Sequence, residues 1–153
     1  KSRSWEVSAL KRLFTLRTQL FKNLGIDYCI YDTSPGVQYT SVNAAVSSDL
    51  AVIVSTLDSL DLSGTTNLLL ELYDAFEKKT AIVLNKVFPE NQPSSKEALN
   101  QINTNLRSPI IGTIPCYCRV LQADRSTILA HEDPQHPFIK NLEDVVEKLV
   151  KTI

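Results

Sequence analysis

Ile26-Asp27-Tyr28-Cys29-Ile30-Tyr31-Asp32-Thr33-Ser34-Pro35-Gly36 carries an acid at the end of an apolar run, with a loop of small residues directly after it. A carboxylate in that position can hold a Mg²⁺-bound water facing the terminal phosphates of a nucleotide. The plainer reading is an acid that caps the turn behind it. Gly36 strengthens the first reading: without a side chain it lets a backbone N–H approach a terminal phosphate, and its freedom lets the loop switch when that phosphate leaves. Ser34-Pro35-Gly36 is otherwise a sound turn sequence. The glycine-rich loop that should cradle the phosphates, Gly-x-x-x-x-Gly-Lys-Ser/Thr, occurs nowhere in these residues.

Asn85-Lys86 closes a second apolar run. The guanine-reading pattern Asn-Lys-x-Asp would need an acid at position 88, where the chain has Phe88. An amide such as Asn85 can still pair with the edge of adenine, donating and accepting, or it can satisfy the loop around it. Gly112-Thr113-Ile114-Pro115 ends a third run, where backbone groups and an apolar rim would suit the flat face of a base. Cys116-Tyr117-Cys118 follows. Two thiols at alternate positions of an extended segment point the same way and can supply two of four metal ligands if a symmetric partner brings two more; as ordinary residues they are small buried side chains. His131 and His136 lie in a polar loop with Glu132, Asp133 and Pro134 and read as surface residues. No serine sits in a Gly-x-Ser-x-Gly elbow.

The elements that must position these residues follow from periodicity. Leu10, Leu13, Phe14, Leu20, Phe21 and Leu24 recur at helical spacing, and Gly25 is a natural stop. Residues 28–31, 51–54 and 81–84 are apolar runs suited to parallel strands covered on both faces, and a fourth strand runs from Ile110 towards Pro115. Leu69, Leu72, Tyr73 and Phe76 mark a helix entered through Ser59 and Asp61. Ser94-x-x-Glu97 is a capping box ahead of another helix, and a last helix begins near Pro137. That helix mixes Glu143, Asp144 and Glu147 with Lys148 and Lys151, which favours packing on the sheet over lying on a membrane. The whole reads as one α/β domain over residues 1–153, a mostly parallel sheet with helices on both faces. In such sheets ligands bind at the carboxyl ends of strands. Asp32, Asn85 and Pro115 stand at or just after three of those ends.

Composition narrows the classes. Sixteen Lys plus Arg balance seventeen Asp plus Glu, so nothing direct points to nucleic acid or an anionic surface. Three cysteines, an odd number in a chain of this size, fit a reducing, cytoplasmic setting. No run of about 18 apolar residues is present. The chain contains no methionine, including at position 1, and is expected to be a fragment, a processed product or a domain.

Taken in order, residues 27–36, Asn43-Ala44-Ala45-Val46-Ser47-Ser48-Asp49, Val83-Leu84-Asn85-Lys86-Val87 and Ile111-Gly112-Thr113-Ile114-Pro115 resemble the MinD/ParA family of deviant Walker A ATPases. The Thr33-Ser34-Pro35-Gly36 turn looks most like that of archaeal MinD-like proteins, and the likeness covers nearly the whole chain. It implies a P-loop NTPase-like α/β/α fold lacking its first strand and P-loop. Asp32 would be the Walker B acid, holding Mg²⁺ through water. Thr33, Gly36, Asn85, Lys86, Ile114 and Pro115 would bind ATP, with Gly36 at the γ-phosphate and Asn85 with Pro115 at adenine. The family works as an ATP-dependent homodimer in which hydrolysis resets binding to a membrane, a nucleoid or a client protein. The signature lysine and the switch I aspartate are missing, so these residues by themselves are not expected to hydrolyse ATP. The alternative is a non-enzymatic interaction module on the same fold.

Overall fold

The computed structural model describes residues 3–36, 38–88, 108–117, 120 and 128–153. Three parallel strands form its sheet: β1 (Ala51–Ser55), β2 (Thr80–Val87) and β3 (Ile110–Pro115), in that spatial order. β1 pairs with β2 from Ala51 opposite Thr80 to Ser55 opposite Leu84. The β2–β3 ladder starts at Ile82 opposite Ile110 and slips between Ile82 and Val83 and again between Leu84 and Val87. These are three of the four strands expected. The helix expected after Ser94 lies outside the described residues.

Each face of the central strand is sealed by a different helix. Ile82, Leu84 and Val87 join Ile53 and Leu69, the last from α3 (Ser59–Phe76), in one core cluster. Val83, from the opposite face, joins Ile114 and Val145, the last from α5 (Pro137–Thr152). Alternation along β2 therefore feeds two cores, which is why its apolar run is continuous rather than alternating. Gly112 makes the second core possible: a Cβ there would stand 2.5 Å from Val145 Cγ2. The mostly parallel sheet with helices on both faces is thus the architecture found. α5 packs on β3 as its mixed polar face predicts, and no helix among the described residues is long and apolar enough to cross a membrane.

Helix ends depart from the expected chemistry in two places. α3 is capped by Asp58, whose carboxylate accepts from Leu60 N at 2.9 Å, rather than by Ser59. His136, expected at the surface, is buried and caps α5, its Nδ1 accepting from Phe138 N at 3.1 Å, while Pro137 takes the first helical position. A short α4 (Leu129–Glu132) precedes it, and His131 is exposed as expected.

The amino-terminal region is built differently. α1 (Arg3–Leu24) ends where Gly25 takes φ +60°, the left-handed stop that glycine makes cheaply. Residues 28–31, expected as a strand, form none. A strand needs a neighbour to take its N–H and C=O groups, and no strand among the described residues pairs with this segment. Ile30 is consequently 90% exposed. A helix that periodicity did not announce follows, α2 (Tyr39–Ser47), and it packs against α1 and α3.

Candidate functional site

The residues singled out by chemistry fall into two groups. The first lines a cleft of about 740 Å³ between α1, α2 and residues 30–34, where Asp32, Thr33 and Ser34 share the wall with Arg12, Thr40 and Asn43. Asp32 and Thr33 are exposed. Tyr31 lines the same cleft, and its hydroxyl is buried without a hydrogen-bond partner among the described residues. An accessible carboxylate among hydroxyl and amide oxygens is a hard-donor set, the chemistry Mg²⁺ accepts while keeping most of its waters.

Gly36 holds φ +86°, a conformation that a side chain would strain. The turn it makes is tied to the start of α2. Gln38 N donates to Gly36 O at 3.1 Å and to Ser41 Oγ at 2.9 Å, and the Ser41 hydroxyl lies 2.9 Å from Gly36 O and 2.7 Å from Gln38 O. The Gly36 carbonyl that ends the loop after Asp32 is therefore tied into the cap of α2.

The second group sits at the carboxyl ends of β2 and β3. The slip in the ladder between Leu84 and Val87 bulges Asn85 and Lys86 out of register, and Lys86 adopts φ +55°, uncommon for a residue with a side chain. Asn85 Oδ1 accepts from Lys86 N at 2.9 Å, which supports that turn and leaves the amide NH₂ and a second lone pair for another partner. The ladder resumes at Val87 opposite Pro115, with Cys116 N donating to Val87 O at 3.1 Å. Ile114 turns its side chain into the core with Val83 and Val145, so only its backbone faces the strand end. Residues from two strands thus form one rim: an amide, a lysine and a proline.

Solved structures share this arrangement of elements. Over 93% of its length the chain superposes on the MinC:MinD cell division protein complex of Aquifex aeolicus, with a TM-score of 0.79 and 16% identity. It superposes over 92% on the Pyrococcus horikoshii septum site-determining protein MinD complexed with Mg-ADP, with a TM-score of 0.70 and 15% identity. A Borrelia burgdorferi protein described as a plasmid partition protein, bound to AMPPNP, matches over 92% at a TM-score of 0.64 and 21% identity. The chain has the MinD/ParA fold. It spans 59%, 56% and 55% of those three chains respectively. No protein-family model and no curated protein sequence matches it.

Within the MinD/ParA fold, the two groups fit a magnesium nucleotide in part. Hydroxyl and amide side chains line the cleft with Asp32 and Arg12, and an amide stands at the second rim, whereas no glycine-rich phosphate loop is among these residues. Cys116 is an exposed free thiol, and Cys118 lies outside the described residues. No group of three or more His, Cys, Asp or Glu among the described residues is placed to hold a metal. Sequence reasoning missed Ser41, which ties the Gly36 turn to α2; Gln38-x-x-Ser41 inverts the usual Ser/Thr-x-x-Glu/Gln order of a capping box and so carries no recognisable signal.

Proposed function

We propose that these residues are the Mg²⁺, switch and base-binding portion of an ATP-dependent switch protein of the MinD/ParA type. The observation that carries the reading is the placement of the Asp32–Gly36 turn at the head of α2 and of the Asn85–Pro115 rim at the strand ends, in a fold shared with proteins solved with Mg-ADP and AMPPNP. Asp32 would hold the waters of Mg²⁺ in the cleft, with Thr33 beside it, and Gly36 would offer its backbone N–H to the terminal phosphate. Asn85, Lys86, Ile114 and Pro115 would receive adenine. The bound metal supplies charge neutralisation at the β and γ phosphates. These residues alone do not hydrolyse ATP on this reading, because the main phosphate cradle and its lysine are not among them.

The complete protein would act as a homodimer in the cytoplasm, its hydrolysis timing the release of a client protein or a membrane surface. That one similar structure is a MinC:MinD complex supports a protein client. A non-enzymatic interaction module is the second reading, with the exposed thiol of Cys116 as a candidate point of contact.

The test starts from the intact mass and N-terminal sequence of the natural product. If a Gly-Lys-Ser/Thr loop precedes Lys1, Asp32→Asn should lower ATP turnover by roughly 100-fold, the scale on which transition-state stabilisers act. A natural product beginning at or just before Lys1, or unchanged turnover in Asp32→Asn, would leave the interaction module.

A further inference from the structure

The carboxyl end of α2 is closed by cations from two other elements. The last four carbonyls of a helix lack partners inside it, and in α2 each finds one. Ala44 O takes Ser48 N at 3.0 Å and Ser47 Oγ at 3.0 Å. Ala45 O takes Ser48 N at 3.3 Å and Ser48 Oγ at 2.8 Å. Val46 O accepts from Lys78 Nζ at 3.0 Å, and Ser47 O from an Arg17 guanidinium nitrogen, also at 3.0 Å. The other terminal nitrogen of Arg17 grips both oxygens of Asp49, at 2.7 and 2.6 Å, so a planar fork spans the helix end and the residue beyond it. Arg17 belongs to α1 and Lys78 to the turn between α3 and β2. Ser47 between them is fully buried.

We infer that Arg17 and Lys78 are positioning residues for the Gly36 turn, fixing the far end of α2 so that the loop after Asp32 is held in its ligand-facing shape. α2 has only nine residues, so it transmits a shift at one end to the other as a short rod. At its head the turn is attached through Ser41 and Gln38; at its tail every free carbonyl is occupied. Two charges meet there for the sake of two carbonyls, and both also complement the negative end of the helix dipole. Burial holds the Lys78 ammonium below its ordinary range, with Asp49 opposing and Arg17 adding to the shift; the cation is kept at that helix end in spite of a desolvation cost. The ligand-facing role of the turn rests on the function proposed above, whereas the mechanical link from clamp to turn does not.

Amide hydrogen exchange on the 153-residue chain tests the link without nucleotide. In Lys78→Met, and separately in Arg17→Met, exchange at Gln38 and Val42 should quicken about tenfold, the scale of one charge-assisted hydrogen bond. Amides of α5 should keep their protection, and Lys78→Arg should restore the turn. Unchanged exchange at Gln38 and Val42, equal quickening in α5, or failure of Lys78→Arg to rescue would overturn the inference. Lys78→Met leaves α1 and its arginine intact, so loss of α1 cannot produce its result. Loosening of the turn in these variants, together with unchanged turnover in Asp32→Asn of the complete protein, would reject the ATP reading and keep the clamp.

Discussion

β2 and residues 28–31 have the same kind of apolar sequence and opposite fates. Thr80 to Leu84 are buried without a break, between a strand on each side and a helix on each face. Among the described residues no strand lies beside residues 28–31, which form no strand and leave Ile30 almost wholly in solvent. Apolar composition qualifies a segment for a sheet, but the neighbour's backbone admits it. β1 differs in cover rather than in pairing, the α3 core taking only one of its faces. Val52 is 42% exposed and Val54 64%, while Ile53 between them is core. Burial is therefore concentrated on β2 and on the α3 and α5 cores either side of it, and the α1–α2 region carries polar ties such as Arg17 to Asp49.

Substitutions can break that contrast in order of size. Leu84→Ala removes a fully buried side chain from the α3 core and should cost about 2–5 kcal/mol by denaturant titration. Gly112→Ala drives a methyl against Val145 and should cost about 1–3 kcal/mol, since Val145 cannot swing away as a long side chain would. Ile30→Asn, made in an equally apolar run, should change the unfolding free energy by no more than about 0.5 kcal/mol. A cost near that of Leu84→Ala would show that residues 28–31 are packed in solution and would erase the contrast.

The smallest effect concerns pH. Burial makes the native state hold the Lys78 proton less firmly than the unfolded chain does, so the unfolded state binds more protons over the alkaline range below 10.5. Stability contributed at this site should rise as pH climbs through the native pKa towards 10.5. Lys78→Met should lose that upward slope when unfolding free energies are compared across the range.

Much of this was legible beforehand because it depends on local pattern. Three strands announced themselves as continuous apolar runs, α1, α3 and α5 through the 3.6 period, and Gly25 through its position after the last apolar residue. α2 did not. Its Tyr, Thr, Ser, Val and Asn have weak helix propensity, and what holds it is tertiary: Arg17 lies 30 residues from Ser47 and Lys78 lies 32 from Val46. His136 was misread for a related reason. A polar loop sequence carries no sign that Tyr117, from beyond β3, will stand against the imidazole at 5.4 Å. The candidate site divided likewise, with Asp32, Gly36 and Asn85 visible as residue types at the ends of runs. The Lys86 bulge and the Ser41 tie depend on backbone placement that no single residue type reveals.

Gly112 and Val145 set the thickness of the molecule where α5 lies on the sheet. The space in front of Gly112 is taken by a Val145 methyl group, which a Cβ at position 112 would meet at 2.5 Å. Two positions 33 apart in the chain therefore share a single allotment of volume. Enlarging position 112 should be tolerated where position 145 shrinks, so that Gly112→Ala with Val145→Ala costs less than the two separate losses added together. Across related chains the sizes of these two residues should vary inversely, a trace of one contact written into two places.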